Sequence, residues 1–143
     1  MFDWTVRRVM GRRRIVKAPA ATSVVKAAKL IAARRIGAVM VVDDERLVGI
    51  FTERDLAVRV VARELDVRTT MLADVMTANP FTVAPDRSFG YALNLMVEKG
   101  FRHLPVVENG KPIGIVSARS AMDPALEEFV TEQQRREYFG KDR

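Results

Sequence analysis

Two four-residue boxes in this chain have the composition of a polar ligand site: Thr52-Glu53-Arg54-Asp55 and Ser117-Ala118-Arg119-Ser120. Each follows an apolar run of strand length, Leu47 to Phe51 and Pro112 to Val116, so each falls where a strand passes into a helix. Free backbone N–H groups and the positive end of the helix dipole at such a junction attract an anion. In the first box the threonine hydroxyl suits a phosphate, and an aspartate one turn in can accept hydrogen bonds from vicinal ribose hydroxyls. The same Thr-x-x-Asp spacing is also a capping box, which merely satisfies the helix start, and spacing alone does not choose between the two. The second box has Ser120 where the aspartate would stand. A serine gives or takes one hydrogen bond but lacks two anionic oxygens, so the two sites are expected to differ. The second should grip ribose less well and tolerate a more anionic ligand.

Other chemistries are excluded by inventory. There is no cysteine, which removes disulfides, thiolate nucleophiles and cysteine-ligated metals. His103 is the sole histidine, so a histidine-rich metal site is excluded too. The Arg102-His103 pair admits two readings, phosphate contact or packing, and Arg54 and Arg119 at helix starts are of a kind commonly solvated. No nucleophile–base pair, glycine-rich phosphate loop or metal-spaced cluster can be assembled, so no enzyme activity is expected. No stretch approaches the roughly 18 apolar residues of a membrane span and no apolar signal segment follows the N-terminal charges, which predicts a cytoplasmic protein.

The net charge of +6 is concentrated at Arg7, Arg8, Arg12, Arg13, Arg14 and Lys17. That cluster is either a solvated basic face or a nucleic-acid contact. Against the latter, Trp4 and the two tyrosines are too scattered for a stacking platform.

The elements that must position the boxes come in two copies. Met10 to Pro19 lies over Met76 to Pro85 without a gap, and after one extra residue Val24 to Asp55 lies over Phe89 to Ser120. Each copy reads as a short strand (Ile15 to Ala18; Phe81 to Ala84), a helix starting near Thr22 or Ser88, two strands joined by a turn, and a second helix. The turns are Asp43 to Arg46 and Glu108 to Lys111, the latter built on Asn-Gly, a strong hairpin signal. Asp3 to Met10 and Leu72 to Val75 look like helical lead-ins, and Pro124 to Phe139 like a C-terminal helix. The fold class expected is α/β (α+β): two β-α-β-β-α units, each sheet too small to bury both faces alone, packed with pseudo-twofold symmetry.

At residues 100 to 117 the chain reads Gly-Phe-Arg-His-Leu-Pro-Val-Val-Glu-Asn-Gly-Lys-Pro-Ile-Gly-Ile-Val-Ser, preceded by Asp74-Val-Met-Thr77 and Thr82-Val-Ala-Pro85. This resembles a CBS domain, the module named after cystathionine β-synthase. Ile36 to Asp43 with Leu47 to Asp55 resembles the other half of a tandem pair. The resemblance implies units over 9–66 and 72–124 and a C-terminal helix and tail over 125–143. It also implies a regulatory sensor that binds adenine nucleotides or related adenosyl ligands, such as AMP, ADP, ATP or NAD, between the repeats.

By the same resemblance Asp55 with Thr52 would hold ribose, Thr77, Phe81 and Thr82 would surround the base, Ile50 would form an apolar wall, and Arg102 and His103 would approach the phosphates. Val16, Ile36, Ala38, Ile115 and Ser117 would form the second pocket. The Asp55 pocket is then expected to dominate nucleoside recognition. Such pairs form disc-like dimers, and Leu126, Phe129 and Val130 share a helical face that needs covering, so a homodimer and a regulated partner are expected.

Overall fold

The computed structural model describes residues 2–11, 15–121 and 136. The triple arginine Arg12 to Arg14 and, apart from Arg136, the expected C-terminal helix with its apolar stripe lie outside the described residues.

The lead-in helix α1 (Val6–Met10) is capped by Thr5, whose hydroxyl accepts from the Arg8 N–H at 3.2 Å. Strand β1 (Lys17–Pro19) leads to α2 (Val24–Arg34), capped one residue later than expected, by Ser23. Strands β2 (Ala38–Asp43) and β3 (Arg46–Thr52) follow, then a single helical turn, α3 (Glu53–Asp55), that continues as a π-helical stretch, Leu56–Val61. The second copy comprises α4 (Leu72–Val75), β4 (Thr77–Ala78), α5 (Phe89–Lys99), β5 (His103–Glu108), β6 (Lys111–Ser117) and a 3₁₀ turn, Ala118–Ala121. Both hairpins turn on two residues of positive φ, Asp44 and Glu45 in one and Asn109 and Gly110 in the other. That is the geometry of the twisted two-residue turn.

The first sheet has the order β1-β2-β3-β4, with β1 parallel to β2 and the other pairs antiparallel; the second contains β5 and β6. The strand expected over Phe81 to Ala84 shrinks to one parallel bridge between Val83 and Val106. Two prolines explain this. Val83 N–H donates to the Pro105 carbonyl, and Val107 N–H to the Val83 carbonyl, each at 3.0 Å. The next rungs would need N–H groups from Pro105 and Pro85, which have none. In the first repeat the corresponding donor exists: Met40 N–H reaches the Val16 carbonyl at 3.0 Å.

Each repeat holds the other's lead-in. Leu72 and Val75 of α4 are buried in the first core among Val39, Val41 and Phe51, whereas Val6 of α1 is buried in the second among Phe89, Leu104 and Val106. The backbone follows suit: Val6 N–H donates to the Arg87 carbonyl at 2.8 Å and Leu72 N–H to the Thr22 carbonyl at 2.9 Å. Two glycines make room for the exchange. The Met76 sulfur occupies the place of a Cβ on Gly49, and the Met10 sulfur lies 2.5 Å from that place on Gly114. Full burial of a Val or Leu side chain stabilises by about 1.5–3 kcal/mol, so these short helices, too short to persist alone, are held by tertiary contact.

Candidate functional site

A cleft of about 900 Å³ opens along the seam between the repeats. Its apolar wall is supplied by Val16, Ile36, Ala38 and Met40 of the first repeat and Ile115 of the second, with Met10 at one edge. Its polar wall carries Arg35, Arg102, His103, Arg119 and the Ser117 to Ser120 box, with Glu53 as the acidic side chain among the lining residues. Sheet register puts these groups together: His103 is the direct partner of Ser117 across β5 and β6, and the Ala118 N–H donates to the Arg102 carbonyl at 3.2 Å.

The serine box is closed on itself. Ser120 N–H donates to the Ser117 hydroxyl at 3.2 Å, Ser117 N–H donates to the Ser120 hydroxyl at 3.0 Å, and the two hydroxyl oxygens are 3.2 Å apart. One hydroxyl proton satisfies that last contact, leaving the other as a donor. The box therefore offers a neutral donor and no carboxylate.

The aspartate box is engaged as a cap. Thr52 N–H donates to Asp55 Oδ2 at 2.9 Å, and Asp55 N–H to Thr52 Oγ1 at 3.1 Å. The second carboxylate oxygen lies 3.5 Å from Arg59 Nε, and Arg59 Nη1 donates to the Val75 and Met76 carbonyls at 3.2 and 3.1 Å. Thr52, Arg54 and Asp55 lie outside the lining of the cleft. So do Ile50, buried beside its strand partner Thr77, and exposed Thr82. Phe81, half exposed, stacks on Phe101 at 5.9 Å with Lys99 over its ring.

The structure thus gathers the candidates differently from expectation. Arg102 and His103 join the Ser117 group, because β5 starts beside the end of β6. This cleft is the one with Ser120, and of the residues expected around Asp55 only Arg102 and His103 line it.

Small residues on one side of the seam accommodate large ones on the other. At the positions where the second repeat has Arg102 and His103, the first has Gly37 and Ala38. His103 Nε2 lies 2.6 Å from where a Cβ on Gly37 would stand, and Glu53 Oε1 lies 3.5 Å from it. Burial pushes the His103 imidazole below its usual range and the neighbouring Arg102 charge reinforces this, while the Glu53 and Asp55 carboxylates oppose it. His103 is therefore neutral near pH 7 and able to become a cation beside an anion.

Arg35 and Glu53 were not among the residues singled out from sequence. Glu53 could have been found from the box it belongs to. Arg35 carried one signal: it stands in the repeat where Gly100 ends the twin helix.

Comparison with known proteins places the chain. The CBS domain profile matches residues 6–62 and 72–125. The chain is 41% identical over 123 residues to the CBS domain-containing protein CBSCBSPB1 of Arabidopsis thaliana, an alignment covering 83% of this chain and 23% of that protein. It spans about a fifth of the length of such curated relatives. A solved protein with CBS domains from Burkholderia ambifaria superposes with a TM-score of 0.78 at 35% identity, covering 87% of this chain and 95% of that one. A CBS domain protein from Pyrobaculum aerophilum, solved in complex with AMP, superposes with a TM-score of 0.75 at 26% identity over 82% and 89% of the two chains. With two matched repeats that together span most of its length, the chain belongs to the CBS domain family.

Proposed function

We propose that this chain is a regulatory module that senses an adenine nucleotide in the cleft between its two repeats, and that it is not itself an enzyme. One observation carries the reading: a single cleft of about 900 Å³ joins an apolar wall, fit for a flat base, to a wall of three arginines, a histidine and a hydroxyl donor, fit for phosphate. Small-molecule sites typically occupy roughly 300–1,000 Å³ and combine apolar lining with a few convergent polar groups. AMP in the related Pyrobaculum protein supports the ligand class. AMP, ADP, ATP and NAD all have the required base and phosphates.

Sensing follows from where the cleft lies. Val16, Ile36 and Ala38 come from one repeat and Arg102, Ile115 and Ser117 from the other, so a ligand that touches both walls favours one spacing of the seam over another. A regulated protein, or a second copy, would read that spacing on an outer face, where Val58 and Val61 of the π-helical stretch are more than half exposed. Among the described residues no helix is long and apolar enough to cross a membrane. Arg8 lies 3.6 Å from the Trp4 ring and Arg87 4.4 Å from the Tyr91 ring, so one face of each ring is stacked by the protein's own arginines.

The test is thermal unfolding with AMP, ADP, ATP and NAD, alongside native mass spectrometry of protein purified without added ligand. A nucleotide at 100 times its Kd should stabilise the fold by about 2.7 kcal/mol. Absence of any shift up to millimolar concentrations, with no adenylate co-purifying, would refute the proposal.

A further inference from the structure

Arg35 ends α2 in the left-handed conformation, with φ of 52° and ψ of 48°. Its twin in the second repeat, Gly100, ends α5 the same way with φ of 76°. A helix terminus of this shape suits glycine and is strained for a residue with a Cβ. The first repeat makes one other exchange of this kind, Glu45 (φ 63°) opposite Gly110 (φ 79°). There the side chain has a partner, since Glu45 lies 3.2 Å from Lys111 Nζ. The Arg35 backbone N–H donates to the Ile31 carbonyl as the helix cap, but its side chain has no hydrogen-bond or ion-pair partner among the described residues, and it lines the cleft.

Two further features of that wall agree. Arg102 and Arg119 likewise line it without an ion-pair partner among the described residues. The Ser117–Ser120 box, which also lines the cleft, has a spare hydroxyl donor and no carboxylate acceptor. Donors and cations complement phosphate oxygens, and nothing on this box can accept from both hydroxyls of a ribose.

We infer that the cleft selects its ligand by phosphate charge rather than by ribose, favouring a nucleoside polyphosphate, and that Arg35 occupies its strained position to contribute to that selection. The inference rests on the adenine-nucleotide reading above and narrows it. Backbone strain tied to a cleft-lining side chain is what a binding residue leaves behind when its fold would be more stable with glycine. Arg35→Gly should therefore weaken polyphosphate binding and strengthen the fold together.

The experiment is calorimetric titration of ATP, 2′-deoxy-ATP, AMP, adenosine and inorganic tripolyphosphate into the wild type, Arg35→Gly, Arg35→Lys and Ser120→Asp, with melting temperatures for each. The wild type should bind ATP and 2′-deoxy-ATP within about twofold of each other, and adenosine at least about tenfold more weakly than ATP. Arg35→Gly should lose about tenfold for ATP and little for adenosine while melting about 2–4 °C higher. Arg35→Lys should recover part of the affinity without the gain in melting temperature. Ser120→Asp should make affinity depend on the ribose 2′-hydroxyl and penalise ATP more than AMP. As a control, Arg34→Gly, one residue earlier and outside the cleft, should melt lower and bind ATP normally.

Adenosine bound as tightly as ATP, a large penalty for the 2′-deoxy nucleotide in the wild type, or equal losses of ATP and adenosine in Arg35→Gly would each overturn the inference. Binding of tripolyphosphate but of no adenine compound would leave charge selection standing and overturn the adenine reading instead. No binding of any of the five would overturn both.

Discussion

Replacing Gly37 with alanine places one methyl group at the closest point of the seam between the repeats. That carbon would lie 2.6 Å from His103 Nε2, 3.0 Å from His103 Cε1 and 3.5 Å from Glu53 Oε1. Ordinary carbon contacts run at roughly 3.5–4.0 Å, so the imidazole must withdraw by about 1 Å. The backbone of residue 37 is not the obstacle, since its φ lies outside the left-handed region that favours glycine. The imidazole is half-buried, with Ser117 as its strand partner, and its open side is the cleft. Overpacking of this kind costs about 1–3 kcal/mol, or about 3–12 °C in melting temperature for a chain of this size.

A double-mutant cycle isolates the contact. His103→Ala alone removes the ring, and in that background Gly37→Ala should cost nearly nothing, giving a coupling of about 1 kcal/mol or more. Thermal and urea unfolding of the wild type, both single variants and the double variant supply the four corners. Equal stability of Gly37→Ala and wild type, or the same penalty whether or not His103 is present, would refute the placement of His103 against Gly37.

Asp55→Ala should lower stability by about 1–2 kcal/mol through loss of the reciprocal cap with Thr52, while nucleotide affinity in the cleft stays within twofold. A urea titration with parallel calorimetry checks this, and a loss of affinity of about 10-fold or more would put Asp55 in the binding site after all. The folded-state pKa of His103 lies below its unfolded value, so the unfolded chain takes up the proton first. Its contribution to stability is then present in full above about pH 6.5 and lost as the pH falls; melts from pH 7.5 to 5.5 should show a steeper loss for the wild type than for His103→Gln. Because a bound phosphate favours the imidazolium, ATP affinity should rise over the same acidification in the wild type and not in His103→Gln. Sedimentation velocity should find a dimer, given Val58 and Val61 exposed on an outer face, and a concentration-independent monomer would contradict that expectation.

The repeat, the two hairpins, the helix caps at Ser88 and at the Thr52 box, and the two small cores were legible in the sequence because each depends on neighbours along the chain. Apolar runs set the buried strands, Asn109-Gly110 set a turn, and hydroxyls three residues before a matching acceptor or donor set the caps. Family likeness, too, was visible there, as was the difference between Asp55 and Ser120. Three matters needed the tertiary structure. The strand at Phe81 fails because Pro105, 24 residues further on, offers no N–H to it. The lead-ins are exchanged because Gly49 faces Met76 and Gly114 faces Met10, pairings between segments distant in sequence. Membership of the cleft was decided across the seam: Gly37 and Ala38 leave the room that Arg102 and His103 enter, and the end of α2 turns left-handed to put Arg35 beside them. Local spacing determines what a residue is able to do, whereas which residues act together depends on contacts between repeats that no local pattern encodes.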